Sequence, residues 1–185
     1  DQLSRLVEDL LFLIRSDATV AHVELAGSVV FLDKLLRGLV EQFQLQAQNR
    51  EIDFQVHLGA GISVKGDAHQ LSRLFSNLLE NAIKYTDNGG RVSLWLEKQN
   101  RFAVVRIEDT GIGIPQEYLP FVFQRFWRSD KAESQQKDGL GLGLAIAQTI
   151  AHKHQGEIKV TSQVGVGSSF QVYLPLAYSP TTLVG

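Results

Sequence analysis

Leu3, Leu6, Val7, Leu10, Leu11 and Ile14 recur every three to four residues, the spacing that lines one stripe of an α-helix, here ending near Ser16-Asp17. A helix this short cannot hide such a stripe alone, so it needs partner helices or a docking place on its own domain. Residues 17–28 lack that period and read as a connector, and the domain proper is expected to start near Val29. A second helix is predicted from about Leu32 to Gln48, then a strand from Ile52 to Leu58 and a turn at Gly59-Ala60-Gly61. Asp67 is an N-cap residue type. After it Leu71, Leu74, Phe75, Leu78, Leu79, Ala82 and Ile83 trace the buried face of a long helix to about Tyr85. Asp87-Asn88-Gly89-Gly90 turns the chain into strands over 92–97 and 102–108, joined as a hairpin through 98–101. Pro115 opens a short helix. Residues 129–138 hold one apolar side chain, Ala132, too little for a core, and read as a surface lid. Helix resumes over about 142–154. Strands over 157–162 and 169–174 follow, around Gly165 and Gly167, and the tail after Pro175, above all 179–185, is expected to fray. The mixture predicts an α+β domain, a two-layer sandwich with one mixed sheet covered on one face by helices.

Composition narrows this picture. The chain has 185 residues, 44% of them hydrophobic, enough for one dominant core plus an appendage. A formal net charge of -2 supplies no basic field for nucleic acid and no polybasic membrane anchor. Cysteine is absent, which removes disulfides, thiolate metal sites and a cysteine nucleophile and suits a reducing cytoplasm. No apolar run approaches the roughly 20 residues that span a bilayer. The chain opens at Asp1 without methionine, as expected of a piece of a longer protein.

Four short islands then carry candidate chemistry. Asn77, Asn81 and Lys84 fall at i, i+4 and i+7 of the long helix and share a polar strip beside its apolar face. An amide oxygen at Asn81 suits Mg²⁺, a hard cation, and Lys84 suits phosphate charge; each alone equally suits a helix surface. Asp109 ends an apolar strand and starts Asp109-Thr110-Gly111-Ile112-Gly113. That is a common turn, yet its glycines allow close approach to a flat ring and its carboxylate accepts from an exocyclic amino group such as adenine's. Gly139, Gly141 and Gly143 precede a helix, whose exposed N–H groups attract phosphate. The dinucleotide fingerprint fails at Leu144 and Ile146, and no Gly-x4-Gly-Lys-Ser/Thr loop occurs. Gly165-Val166-Gly167 by itself is a hairpin turn. Phe121, Phe123, Phe126 and Trp127 are expected in the core, with Arg128 a better phosphate partner than Arg125. The five histidines show no metal spacing and receive no catalytic role.

Taken together, NLLENAIKYT, DTGIGIP, FVFQRFWR, GLGLGLAIA and GVGSSFQVYLP resemble, in order, the N, G1, F, G2 and G3 boxes of the catalytic ATP-binding domain of bacterial sensor histidine kinases. The resemblance covers about Val29 to Leu176 and implies the Bergerat ATP-binding fold. It implies ATP and Mg²⁺ as ligands, with Asn81 on the metal, Asn77 and Lys84 near the phosphates and Tyr85 beside the nucleotide. It further implies Asp109 on adenine, Gly111 and Gly113 shaping the base pocket, Gly139, Gly141 and Gly143 at the phosphates and Arg128 near the γ-phosphate. Residues 1–28 become the end of a dimerisation helix and its connector, and 29–178 the catalytic domain. Two departures stand out. Leu140 replaces a small hydroxyl residue of many relatives, and the family's phosphoacceptor, a histidine followed by an acidic residue, is absent.

The accepting histidine is therefore expected upstream of Asp1, because Ser4 to Leu11 resembles the end of the second dimerisation helix and His22-Val23-Glu24 is a poor substitute. The implied partners are that histidine-bearing domain of the same protein and a response regulator. The full-length protein would be a homodimer, cytoplasmic in this region, without nucleic-acid or direct membrane contact, whether or not its parent is membrane-anchored. The fragment is expected not to phosphorylate itself. Alternatives are a hydrolysing ATPase of the chaperone, mismatch-repair or topoisomerase kind, a serine-kinase anti-sigma factor, and a nonenzymatic nucleotide-binding regulator. The hydrolysing relatives place a glutamate four residues before the metal asparagine, where this chain has Asn77.

Overall fold

A computed structural model describes residues 2–18, 28–128 and 141–178. Residues 19–27 of the expected connector (17–28), the lid with Gly139 and Leu140, and the tail (179–185) lie outside the described residues, and the connector's first two residues, Asp17 and Ala18, belong to the first helix. Helix α1 is Gln2–Ala18, β1 Val29–Phe31, α2 Leu32–Asn49, β2 Asp53–Leu58, β3 Ser63–Lys65 and α3 Ala68–Tyr85. Then come β4 Arg91–Gln99, β5 Phe102–Asp109, a 3₁₀ helix Gln116–Phe121, α4 Gly143–Lys153, β6 Glu157–Gln163 and β7 Gly167–Pro175.

Five strands form one mixed sheet in the order β2-β4-β5-β7-β6, with β2 parallel to β4 and the other pairs antiparallel. Side chains alternate across each strand. Val92, Leu94 and Leu96, Ala103, Val105 and Ile107, and Phe170, Val172 and Leu174 enter the core shared with the helices. Ser93, Trp95, Arg106, Glu108, Gln171 and Tyr173 take the opposite face. This is the expected two-layer α+β sandwich. All seven predicted residues of the α3 face are buried, and Asp67 caps that helix by accepting from the Gln70 N–H at 3.0 Å.

The far end of α3 is capped differently. Arg50, in the turn after α2, donates to the Ile83 and Thr86 carbonyls and so satisfies groups that a helix end leaves orphaned. His154, which ends α4, is 3% exposed. Its Nδ1 pairs with the Ile150 carbonyl at 2.8 Å, and its Nε2 accepts the Asp67 N–H at 3.1 Å. These contacts fix the neutral Nδ1–H tautomer and tie the C-terminus of α4 to the N-terminus of α3.

The structure differs from expectation in three places. First, β1 and β3 pair antiparallel as a separate two-stranded sheet; three residues are too few to show a period. Second, α1 docks through only part of its stripe. Leu6 and Leu10 are half-buried, while two residues outside the predicted stripe do most of the docking: Leu13 is buried and Phe12 lies between Arg73 (4.8 Å) and Lys153 (4.9 Å), with Asp9 paired to Arg73. Leu3, Val7, Leu11 and Ile14 stay exposed. Third, the aromatics after Pro115 do not all enter the core. Phe121 and Phe126 are 43% and 56% exposed, and Phe126 sits in a left-handed backbone conformation with a φ of 61°. Phe123 packs edge-on against Phe170 and Trp127 tilts against Tyr118, both half-buried. Among the described residues no helix is long and apolar enough to cross a membrane.

Candidate functional site

The C-terminal half of α3, the end of β5, the segment after it, the start of α4 and the start of β7 converge on a cavity of about 90 Å³. Asn81 and Tyr85 face it from α3, Asp109 and Gly113 from the β5 turn, Leu144 from α4 and Ser168 from β7. Ala82, Ile112, Ile114, Val122 and Phe170 supply an apolar wall and Trp127 one edge. A slot with apolar walls and a few convergent polar groups is the usual form of a small-molecule site.

Asp109 is the polar floor. Its Oδ1 accepts the Gly111 N–H at 2.9 Å, and burial nevertheless pushes its carboxyl up to about 6, against the lowering pull of the Gly111 and Ser168 N–H groups. The turn has no room for side chains: a Cβ at Gly111 would lie 2.4 Å from the Tyr85 carbonyl oxygen. Gly113 has a φ of 72°, and a Cβ there would meet the Gln163 carbonyl at 2.1 Å. These glycines hold β5, α3 and the β6–β7 hairpin in contact around the cavity.

Asn77, one turn before Asn81, donates its amide to the Gly143 carbonyl at 3.1 Å and so joins α3 to the first residue of α4. Gly141, with a φ of 72°, accepts the Phe126 N–H at 3.0 Å, and a Cβ there would lie 2.7 Å from the Trp127 carbonyl oxygen. A Cβ at Gly143 would fit, meeting the Asn77 side chain in ordinary contact at 3.9 Å. Lys84 lies 5.1 Å from the Tyr85 ring centroid. Burial raises the Tyr85 hydroxyl's pKa, and the Arg128 charge opposes that shift, so both cations gather beside Tyr85 without lining the cavity. Gly139 lies outside the described residues. Of the ten other candidates, Asn81, Tyr85, Asp109 and Gly113 line the cavity, while Asn77, Lys84, Gly111, Gly141, Gly143 and Arg128 lie outside its lining.

The sequence profile of the histidine kinase-, DNA gyrase B- and HSP90-like ATPases matches residues 66–178, the span that holds every one of these side chains. The chain belongs to that ATPase family. Within it, the chain is 39% identical over 180 residues to the sensor histidine kinase RppB of Synechocystis sp., covering 97% of this chain and 39% of the relative. It is 37% identical over 146 residues to the sensor-like histidine kinase SenX3 of Mycolicibacterium smegmatis, covering 79% and 38%. The chain spans about two fifths of the length of these relatives. Among solved structures it is similar to the mycobacterial sensor histidine kinase MprB, with a TM-score of 0.70, 30% identity and coverage of 81% of this chain and 97% of that one. It is also similar to full-length ShkA in complex with AMPPNP, with a TM-score of 0.82, 27% identity and coverage of 96% and 36%. The ATPase domain is therefore of the histidine-kinase class.

Two parts of this ATPase domain's site escaped sequence reasoning. The apolar wall comes from residues given no site role by their sequence: Ala82 and Trp127 read as core, and Ile112, Ile114, Val122 and Phe170 stood only as members of motifs or strands. The hydroxyl pair Ser162 and Ser168, 2.8 Å apart, with Ser162 Oγ also accepting the Ile114 N–H at 2.7 Å, braces the β5 turn from β6 and β7. Nothing local marks such a serine; only the β6–β7 register puts the two opposite each other.

Proposed function

We propose that this ATPase domain binds Mg²⁺·ATP in the α3–β5 cavity and delivers the γ-phosphoryl group to a histidine on a dimerisation domain of the same protein, for onward transfer to a response regulator. One observation carries the reading: Asn81, Tyr85, Asp109 and Gly113, picked from separate islands of sequence, line a single cavity. The AMPPNP found with the related ShkA fits the same ligand class.

In this reading the Asp109 carboxylate accepts from the adenine amino group, while Gly111 and Gly113 keep side chains out of the ring's plane. Among the described residues no group of three or more histidines, cysteines or acids gathers to hold a metal. An Mg²⁺ ion held by one amide oxygen, Asn81, and otherwise by phosphate oxygens and water fits that donor set. When bound it would neutralise phosphate charge. Lys84 and Arg128, beside Tyr85, would meet the developing charge on the γ-phosphoryl oxygens, and Gly141 and Gly143 at the start of α4 would offer backbone N–H groups. The chain's own work is alignment and charge neutralisation, which supply much of phosphoryl-transfer catalysis.

Asn77 argues against hydrolysis. It occupies the position of the water-activating glutamate of hydrolysing relatives, and its amide is engaged on the Gly143 carbonyl, where it cannot serve as a base. The domain would act in the cytoplasm, in a homodimeric parent, without contacting nucleic acid or membrane. Incubation with γ-labelled ATP tests the proposal. The domain alone should take up negligible label, and an added histidine-bearing helix pair should become labelled; strong self-labelling or brisk ATP hydrolysis would overturn it.

A further inference from the structure

Helix α3 ends at Tyr85 without the local cap that many helices carry. Thr86, the next residue, is extended, with a φ of -95° and a ψ of 130°, so no left-handed residue folds back to donate to the last carbonyls. Those carbonyls find other donors. Thr86 Oγ1 donates to the Ala82 carbonyl at 2.7 Å, and the Ile112 N–H of the β5 turn donates to the Tyr85 carbonyl at 3.2 Å. The Arg50 guanidinium, from a different element, donates through Nη1 to the Ile83 carbonyl at 2.5 Å and through Nη2 to the Thr86 carbonyl at 3.0 Å.

Arg50 is itself held in place. Its N–H donates to the Ala47 carbonyl at 3.1 Å, and Glu51 beside it takes a left-handed φ of 54°. The Glu51 carbonyl accepts the Gly89 N–H at 2.9 Å, and the Asp53 N–H donates to the Gly90 carbonyl at 2.9 Å. The turn after α2 and the loop after α3 are thereby zipped together, with the guanidinium bridging both. None of the ion pairs among the described residues includes Arg50, so its charge meets the negative end of the helix rather than a carboxylate. A planar fork can hold two carbonyls three residues apart; an ammonium group is a point charge without that geometry.

The turn clamped in this way carries Asn81 and Tyr85, both of which line the cavity. The Tyr85 carbonyl is also the atom that leaves no room for a Cβ at Gly111, at 2.4 Å. A slide of this turn along the helix axis would therefore move Asn81 and Tyr85 relative to Asp109 and open the contact with the β5 turn. The other cap of α3 has no such neighbours: Asp67 lies roughly 25 Å away along the helix, and no residue of its turn lines the cavity.

We propose that Arg50 is a positioning residue of the nucleotide site: by clamping the Ile83 and Thr86 carbonyls it holds Asn81 and Tyr85 at the height along α3 where they meet Mg²⁺·ATP. The inference rests on the nucleotide reading above. The test is calorimetric titration with ATP and Mg²⁺ of the wild type, Arg50→Met, Arg50→Lys and Asp67→Ala, at a temperature where circular dichroism shows each of them folded. Arg50→Met should bind about tenfold more weakly, and Arg50→Lys, which keeps the charge without the fork, should fall between the two. Asp67→Ala removes the cap at the far end of the same helix and should bind as the wild type does. In an Asn81→Ala background the Arg50→Met loss should shrink to about threefold or less, because one of the groups it positions is gone. Unchanged affinity in Arg50→Met, an equal loss in Asp67→Ala, or a full tenfold loss persisting without Asn81 would each remove Arg50 from this role. Should Arg50→Met not fold, Arg50→Lys decides in its place, and wild-type affinity in that variant sinks the idea. A wild type that takes up no Mg²⁺·ATP refutes the nucleotide reading itself and takes this proposal with it, an outcome distinct from the others.

Discussion

In the proposed reading a single carboxyl, Asp109, sets both recognition and pH response. Its protonation in the folded chain is centred near 6 rather than 3.8, so the proposed acceptor of the purine amino group disappears as pH falls through 6. ATP binding is expected to be roughly tenfold weaker at pH 5 than at pH 8, and Asp109→Asn should remove that difference while lowering affinity about ten- to a hundredfold. Calorimetric titration at the two pH values checks both. For stability the sign is opposite. A raised folded pKa means the native state holds the proton more tightly than the unfolded one, so this group's contribution is fully present below about 3.8 and is lost as pH rises through 6. Asn81→Ala tests the metal ligand: ATP affinity should fall when Mg²⁺ is present and change little when EDTA removes it. An unchanged affinity with Mg²⁺ would remove Asn81 from that role.

The elements were legible where their period was long. Helix α3 shows an apolar stripe from Leu71 to Ile83, more than three turns, and β4 and β5 are long strands of nine and eight residues. The strands β1 and β3 were not legible, since a three-residue strand has no period and is defined by its partner. Phe121 and Phe126 misled because residue type favours burial, while the local chain after Pro115 leaves both exposed. Among site residues, those in glycine-bearing turns or on the α3 polar strip announced themselves. Ser162 and Ser168 act through a neighbour across two strands and left no local trace. The junction of α3 and α4 carries its own test. Burial lowers the His154 pKa, so its neutral ring stabilises the fold above the unfolded value of about 6.5 and loses that contribution as pH falls toward the lower folded value. His154→Ala should cost about 1–3 kcal/mol by leaving the Asp67 N–H unmatched, and its stability should no longer show this acid-side loss. Urea unfolding between pH 5 and 8 measures both.

At the scale of the whole molecule, one core joins the sheet to α2, α3 and α4, so damage at its centre should spread to the nucleotide cavity. Phe75 is fully buried; Phe75→Ala should destabilise the domain by about 3–5 kcal/mol with one cooperative unfolding transition. Two transitions, seen by circular dichroism and by Trp127 fluorescence, would show that the cavity end unfolds independently. The helical layer and the polar sheet face are thus one mechanical body with two dissimilar sides.

Strand β5 places Glu108 on one side of the sheet and Asp109 on the other, locked by the pairings Glu108↔Ser169 and Asp109↔Ser168. The strand therefore works like a reading frame. A slip of one residue against β7 would present the longer Glu108 to the base pocket and turn Asp109 outward. A single inserted residue within β5 would accordingly scramble nucleotide choice more thoroughly than most point substitutions, by changing which carboxylate does the reading.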